Sequence, residues 1–249
     1  MLEGGKRINN ESHHCPKVSI ITVTYNASLH LKLFLDKVSK YLDKEVELIL
    51  IDGNSTDNTI DIINDNNHII DYWRSEPDEG IYYAMNTAIK YANGKWIYFL
   101  GVDDQILEGF NKMFDVLCKD NTVYFGNTLY TGIEIKNKIS KYDLTKFIVC
   151  HQGIFYPKEV FKYYKYDVRY KVSADHYLNI LCFTDKRFRW EYHDFLIANY
   201  APGGFSATTS DDVFNKDYDG IIRKYLGFYS YLRYRFRLFK HSFKIKNHL

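Results

Sequence analysis

Apolar positions in the first hundred residues follow two rhythms in turn. Val18-Ser19-Ile20-Ile21-Thr22-Val23-Thr24-Tyr25 is rich in β-branched residues and reads as a strand. Leu31, Phe34, Leu35, Val38 and Leu42 then fall on one face of a helix that Ser28 is placed to cap. Val46-Glu47-Leu48-Ile49-Leu50-Ile51-Asp52 is a near-continuous apolar run, the pattern of a strand buried on both faces. The turn Gly53-Asn54-Ser55-Thr56-Asp57 leads into a short helix through Ile60, Ile62 and Ile63, and a third strand is expected near Ile69 to Trp73. Beyond the loop Ser75-Glu76-Pro77-Asp78-Glu79-Gly80, residues Ile81, Ala84, Met85, Ala88, Ile89 and Ala92 recur at helical spacing until Asn93-Gly94 stops them. Lys95 to Leu100 forms a fourth strand, ending in Gly101-Val102-Asp103-Asp104.

Strands and helices alternating at about 25-residue spacing predict βαβ units and a mostly parallel, doubly wound α/β sheet. From about Val123 the pattern shifts to shorter strands, at Tyr124-Phe125-Gly126-Asn127 and Tyr130-Thr131-Gly132-Ile133, with a helix over Ala174 to Phe183. No Pro, Gly or Ser linker separates the halves, so one domain is expected, and 249 residues suffice for one substantial core.

Composition adds little until charge is considered. Tyr and Phe number 23 and 17, which suits stacking on bases and sugars but on composition alone reflects core packing. The four cysteines have no CxxC spacing, so neither a zinc site nor a disulfide framework is indicated. The first 16 residues are a polar leader without an apolar signal segment, and no run of 18 apolar residues occurs, so a reduced, cytoplasmic setting is expected. The net charge of +2 is uneven: Ile221 to Leu249 carries eight Lys/Arg and no Asp/Glu, leaving 2 − 8 = −6 for the first 220 residues. That tail, with Arg233, Arg235, Arg237 and Lys240 among Phe228, Tyr229, Leu232, Phe236 and Phe239, reads as a basic amphipathic helix. It suits either an anionic membrane surface or packing on the body with a solvated basic face.

In open parallel sheets, ligands bind beyond the carboxyl ends of the strands. Here those ends carry Thr24-Tyr25-Asn26, Asp52 and Asp103-Asp104. Any one of these aspartates could cap the next helix; together they point to a site for a ribose, a base edge or a hydrated metal.

The segments VSIITVTYN, ELILIDGNSTDNT and SEPDEGIYYAMNTAIKYANGKWIYFLGVDD, in this order and spacing, resemble the nucleotide-binding half of glycosyltransferase family 2. The similarity is greatest to the subgroup that assembles bacterial capsule, O-antigen and exopolysaccharide repeats. It is strong over Lys17 to Asp104 and looser to about Ser206. It implies a GT-A fold, a nucleotide-diphosphate sugar donor, Mn²⁺ or Mg²⁺, and inversion at the anomeric carbon. It places the nucleotide-sugar half at 17–104, the acceptor half at 105–210 and the helical tail at 211–249.

Position by position, the resemblance puts Thr24, Tyr25 and Asn26 in the first nucleotide-contacting turn and Asp52 on the base or ribose. The second Asp that often follows in the family is Gly53 here. Asp57 reads as a helix cap. Asp78 and Asn86 match the family's donor-side loop and helix. A DxD motif would set two carboxylates about a spacer; with the first absent, Asp103 and Asp104 share the task, one on metal and the other on ribose or a metal-bound water. Such cations take oxygen ligands and need only one or two carboxylates beside the diphosphate. His151, in His151-Gln152-Gly153, resembles a segment lining the active site. Val172-Ser173-Ala174-Asp175-His176-Tyr177 resembles the segment ending in the catalytic base, expected to be Asp175, with His176 the alternative. Tyr200-Ala201-Pro202-Gly203-Gly204-Phe205-Ser206 resembles a loop that closes over the donor.

The expected partners are the sugar nucleotide, a saccharide or lipid-diphosphate-linked acceptor and, through the tail, an anionic membrane surface. Three other readings carry distinct signatures. A nucleotidyltransferase would want a Gly-rich basic loop after the first strand, where this chain has Thr24-Tyr25-Asn26-Ala27-Ser28. A catalytically silent binding protein would bind donor without turnover. A nucleic-acid module would show steep salt dependence, and no motif supports it.

Overall fold

The computed structural model describes residues 1–8, 15–203 and 209–246, with side chains described to residue 240. A ten-stranded mixed sheet runs through it in the order β1-β4-β3-β2-β5-β9-β7-β10-β6, with β8 paired off β7. Its centre is the parallel block foreseen from the apolar runs: β4 (Tyr72–Ser75), β3 (Val46–Asp52), β2 (Val18–Thr24) and β5 (Trp96–Phe99). Every residue of β3 is buried, as a strand covered on both faces requires.

One face carries Leu31, Phe34, Leu35 and Val38 of α1 (Ser28–Val38), Ile63 of α2 (Thr59–Asp65), and Phe110 and Met113 of α4 (Gly109–Val116). The other carries Ala84, Met85 and Ala88 of α3 (Ile81–Tyr91) and Leu178, Ile180 and Cys182 of α6 (Ala174–Thr184). Helices on both faces of the sheet are the doubly wound arrangement expected.

Several local expectations change. Ser28 does not cap α1; it lies inside the helix, and its N–H donates to Asp57 Oδ2 at 3.1 Å. Asp57 also accepts from Thr59 N–H at 3.0 Å, so one carboxylate serves the starts of both α1 and α2, confirming its capping part. The third strand begins at Tyr72, because Asp71 is spent on the neighbouring strand: its N–H donates to the Leu48 carbonyl and its Oδ2 accepts from Leu48 N–H. The two short strands expected after Val123 are a single nine-residue strand, β7 (Thr122–Tyr130). It turns through Thr131 (φ 48°) and Gly132 (φ 80°) into β8 (Ile133–Ile135). Two consecutive left-handed residues make the tight hairpin whose twist matches its strands.

The long β10 (Arg189–Tyr200) was not anticipated; it runs parallel to β7 with register shifts between Tyr192 and Ala198. Those irregularities erase the period-two signal from its sequence. β9 (Ile154–Pro157) enters antiparallel between β5 and β7, so the sheet is mixed at that point, and β6 (Gln105–Ile106) closes the far edge antiparallel to β10. The leader also has structure: β1 (Leu2–Gly4) pairs antiparallel with β4, Lys6 meets Asp71, and Arg7 meets buried Glu47.

The tail forms two helices, α7 (Asp212–Ile221) and α8 (Phe228–Lys246), joined by a π-helical turn at Ile222–Leu226 and by Gly227 at φ 84°. α8 packs through one face: Tyr231 and Arg235 reach Asp219, Tyr234 meets Tyr218, and the Arg233 guanidinium sits 3.7 Å over Tyr142. Its other face leaves Phe228, Tyr229, Leu232 and Phe236 exposed. Among the described residues no helix is long and apolar enough to cross a membrane.

Candidate active site

β2, β3, β5, β7 and β10 all point the same way, and β9 runs against them. The carboxyl ends of five strands and the start of β9 therefore share one sheet edge. Thr24, Asp52, Asp103-Asp104, His151 and Asp175 are gathered along it.

At the end of β3, Asp52 is fully buried. Its Oδ1 accepts from Thr24 Oγ1 (2.9 Å) and Ser55 Oγ (2.5 Å), and its Oδ2 from Ser55 N–H (2.9 Å) and Ser75 Oγ (2.8 Å). Four donors satisfy both oxygens, so Asp52 organises the turn rather than presenting a free edge to a base. Thr24 is buried in the same network. Asn26, at φ 49°, accepts from Thr56 N–H at 2.9 Å and ties the first turn to the Asp52 turn. Tyr25 stands open, 67% exposed, and Asn26 beside it is exposed as well, while Thr24 is not.

The exposed carboxylate beside Asp52 belongs to Asp78. A Cβ on Gly53 would lie 2.9 Å from Asp78 Oδ2, so Asp78 fills the space that a side chain at position 53 would take. Its Oδ1 accepts from Gly80 N–H at 2.9 Å. Burial, reinforced by the charges of Asp52 and Glu76, raises its carboxyl above the ordinary range. Asn86 Nδ2 donates to the Tyr166 carbonyl (2.9 Å) and Oδ1 accepts from Tyr166 N–H (3.0 Å), so its amide clamps a loop.

The same substitution of space occurs after β5. A Cβ on Gly101 would lie 2.8 Å from Asp104 Oδ2 and 2.9 Å from Asp103 Oδ1, so both carboxylates fold back over the glycine. The two differ sharply. Asp104 is buried and engaged, accepting from Gly101 N–H (2.9 Å), Gln152 Nε2 (2.8 Å) and Ala201 N–H (3.0 Å). Asp103 is exposed at the rim. The protein around it, and then the charge of Asp104, raise its carboxyl.

Asp175, at the start of α6, accepts from His176 N–H (2.7 Å) on Oδ1, with Tyr82 Oη, which donates to the Val172 carbonyl at 2.6 Å, a longer 3.3 Å away, while His151 Nδ1 lies 3.3 Å from Oδ2. An ionised carboxylate can only accept, so His151 pairs with it through a tautomer that carries the proton on Nδ1. Burial and the Asp175 charge hold the Tyr82 phenol well above its usual range, so it stays a donor. His176 is no alternative base. Its Nε2 pairs with Tyr218 Oη at 3.2 Å in the core, and burial pushes it down to about 4.

His151 and Gln152 are neighbours on one 3₁₀ turn (His151–Gly153), and through them that turn touches both Asp175 and Asp104. Cys150, just before it, is pushed up to about 12 by burial and then by the charge of Asp104, with Asp175 also contributing. Both carboxylates therefore flank this turn. Gln152 and Tyr82 were missed in the sequence because their partners lie far along the chain. The HQG segment was the only local signal for Gln152. Of the loop expected to close over the donor, Ala201 bonds to Asp104, while Gly204, Phe205 and Ser206 lie outside the described residues. A cavity of about 100 Å³ between α1 and the Leu100–Ile106 segment touches Asp104 from behind, away from Asp78 and Asp175.

Among the described residues no three His, Cys, Asp or Glu side chains converge on a common point. The arrangement is thus not a ready-made cage; Mg²⁺ and Mn²⁺ need only one or two protein carboxylates when phosphates and water supply the other oxygen ligands.

Residues 19–189 match the family described as Glycosyl transferase family 2, and the chain belongs to that family. It is 33% identical over 220 residues to a PGL/p-HBAD biosynthesis glycosyltransferase of Mycobacterium bovis, covering 81% of this chain and 83% of the relative. Among solved structures, TarS of S. aureus in complex with UDP-GlcNAc superposes with a TM-score of 0.63 at 17% identity, over 82% of this chain and 65% of that one. The mannosyltransferase PcManGT of Pyrobaculum calidifontis, in complex with GDP-Man and Mn²⁺, gives 0.61 at 16%, over 77% and 59%. The chain spans less than two thirds of each of these structures. The protein is a glycosyltransferase with the GT-A fold.

Proposed function

We propose that the protein transfers a sugar from a nucleoside-diphosphate sugar to a hydroxyl of a saccharide or lipid-linked acceptor in cell-surface glycan or glycolipid synthesis, with inversion. The carrying observation is the His151–Gln152 turn, which holds a base-type carboxylate and an acidic pair on either side of one point. Tyr25 and Asp78 take the nucleotide, with Thr24, Asn26 and Asp52 shaping the turn beneath it. Asp103 holds the cation through its exposed carboxylate, and Asp104 holds Asp103's loop in place. A bound Mn²⁺ or Mg²⁺ would neutralise charge on the departing nucleoside diphosphate.

Asp175 accepts the proton of the acceptor hydroxyl as its oxygen bonds to the anomeric carbon and the bond to the diphosphate oxygen breaks. The His151 ring and the Tyr82 hydroxyl hold Asp175 in its orientation. Inversion follows from a single displacement with one base. The PGL/p-HBAD relative supports a glycolipid acceptor, and the two nucleotide-sugar complexes support the donor class.

The test is a thermal-shift and hydrolysis panel of nucleoside-diphosphate sugars with and without Mn²⁺. One nucleotide class should stabilise the protein in a metal-dependent way and be slowly hydrolysed. Stabilisation without any turnover would instead support a silent binding protein.

The acceptor's carrier would bring the enzyme to a membrane. Phe228, Tyr229, Leu232 and Phe236 share the exposed face of α8, with Arg233 and Lys240 beside them, a pattern suited to an anionic surface. The full chain should sediment with phosphatidylglycerol-containing vesicles and not with phosphatidylcholine alone. Phe228→Ser with Phe236→Ser should abolish this, and equal sedimentation of the variant would remove α8 from the role.

A further inference from the structure

Tyr130 and Tyr200 are register partners at the ends of β7 and β10. Their rings stack 4.6 Å apart, with 16° between planes. Both side chains are half-buried, and among the described residues neither hydroxyl has a hydrogen-bond partner. The next residue, Ala201, donates its N–H to Asp104, so the pair sits beside the acidic loop. Burial first, then the charges of Cys150, Tyr130 and Asp104, push the Tyr200 phenol up to about 12, and it stays neutral with its proton available to a ligand.

The order of strands gives this pair its meaning. Along the edge, Asp52 ends β3, Asp103-Asp104 follow β5, His151 precedes β9, and the tyrosines end β7 and β10. The nucleotide end thus lies on one side of the reacting centre and the tyrosines on the other. A stacked aromatic pair whose two hydroxyls have no partner among the described residues matches a pyranose, whose C–H face packs on rings while its hydroxyls need partners.

We propose that Tyr130 and Tyr200 form the acceptor subsite, a shelf that binds a pyranose ring of the acceptor and presents its hydroxyl to Asp175. This rests on the glycosyltransferase reading. It is tested with the full chain, Mn²⁺ and UDP by saturation-transfer NMR on methyl glucoside, galactoside and rhamnoside. Thermal shifts with UDP-GlcNAc and GDP-mannose are measured in parallel.

At least one glycoside should take up saturation in the wild type. Tyr200→Ala should weaken its Kd about tenfold or more, Tyr200→Phe clearly less, and none should alter the donor thermal shift. Tyr130→Ala gives a second reading should Tyr200→Ala fail to fold. Absence of saturation in the wild type, or equal Kd in both alanine variants with a normal donor shift, overturns the shelf and leaves the transferase standing. Absence of a shift with every sugar nucleotide of the panel would instead defeat the transferase reading.

Discussion

Asp175→Asn is expected to slow sugar transfer about a thousandfold, within the range that a positioned general base contributes. The amide is close in shape, and its oxygen can still accept from His176 N–H and Tyr82 Oη, so α6 should begin as before. What is lost is the ability to take a proton at the moment the acceptor oxygen bonds to carbon. The proposed donor contacts, Tyr25 and Asp78, lie elsewhere along the sheet edge, so the thermal shift with sugar nucleotide and Mn²⁺ should match the wild type. The measurement is a single-turnover transfer rate at saturating donor. A rate within an order of magnitude of the wild type would take the role of base away from Asp175. His176→Gln is the control: His176 faces Tyr218 in the core, so its replacement should lower stability without a selective loss of the chemical step.

The second large effect separates two adjacent aspartates. Asp103→Ala should cost about a hundredfold in transfer and remove most of the metal-dependent stabilisation, because its exposed carboxylate is the proposed ligand. It should leave the melting temperature of the free protein unchanged or slightly raised, since it removes a charge crowded by Asp104. Asp104→Ala should behave differently. It strips three donors of their acceptor, at a cost of about 2 kcal/mol to the free protein before any metal is added.

The Asp103 shift also fixes a pH dependence. A carboxyl raised above its unfolded value favours the folded state while protonated. That contribution is complete below 3.8 and is lost as pH rises through the raised native value. A divalent cation binds the ionised form, so metal-dependent stabilisation should grow with pH over the same window. Equal effects of metal on the wild type and Asp103→Ala would contradict the site.

How much of this could be read from residues alone follows from how far each signal reaches along the chain. β3 was legible because burial on both faces leaves an unbroken apolar run, and Asp103-Asp104 stood out as an acidic pair shortly after an apolar strand. Asp52 stood out at the end of a buried strand, but its saturation by donors did not, since they come from positions 24, 55 and 75. Nothing local shows that Gly53 makes room for Asp78, or Gly101 for Asp103 and Asp104; that needs the fold. Asn86 carried the right motif, yet its amide serves a loop eighty residues on. β10 stayed hidden because its register shifts break the alternation, and β1 because three residues are too few to carry any period.

The dipeptide His151-Gln152 acts as a yoke. One residue steadies the carboxylate proposed to draw a proton from the incoming alcohol, and the next steadies the loop proposed to meet the outgoing phosphate. Any shift of this turn moves both ends of the displacement together. Directed evolution toward a new acceptor would therefore find changes near His151 that disturb departure as well as attack, while the tyrosines at the far strands offer freedom without that penalty.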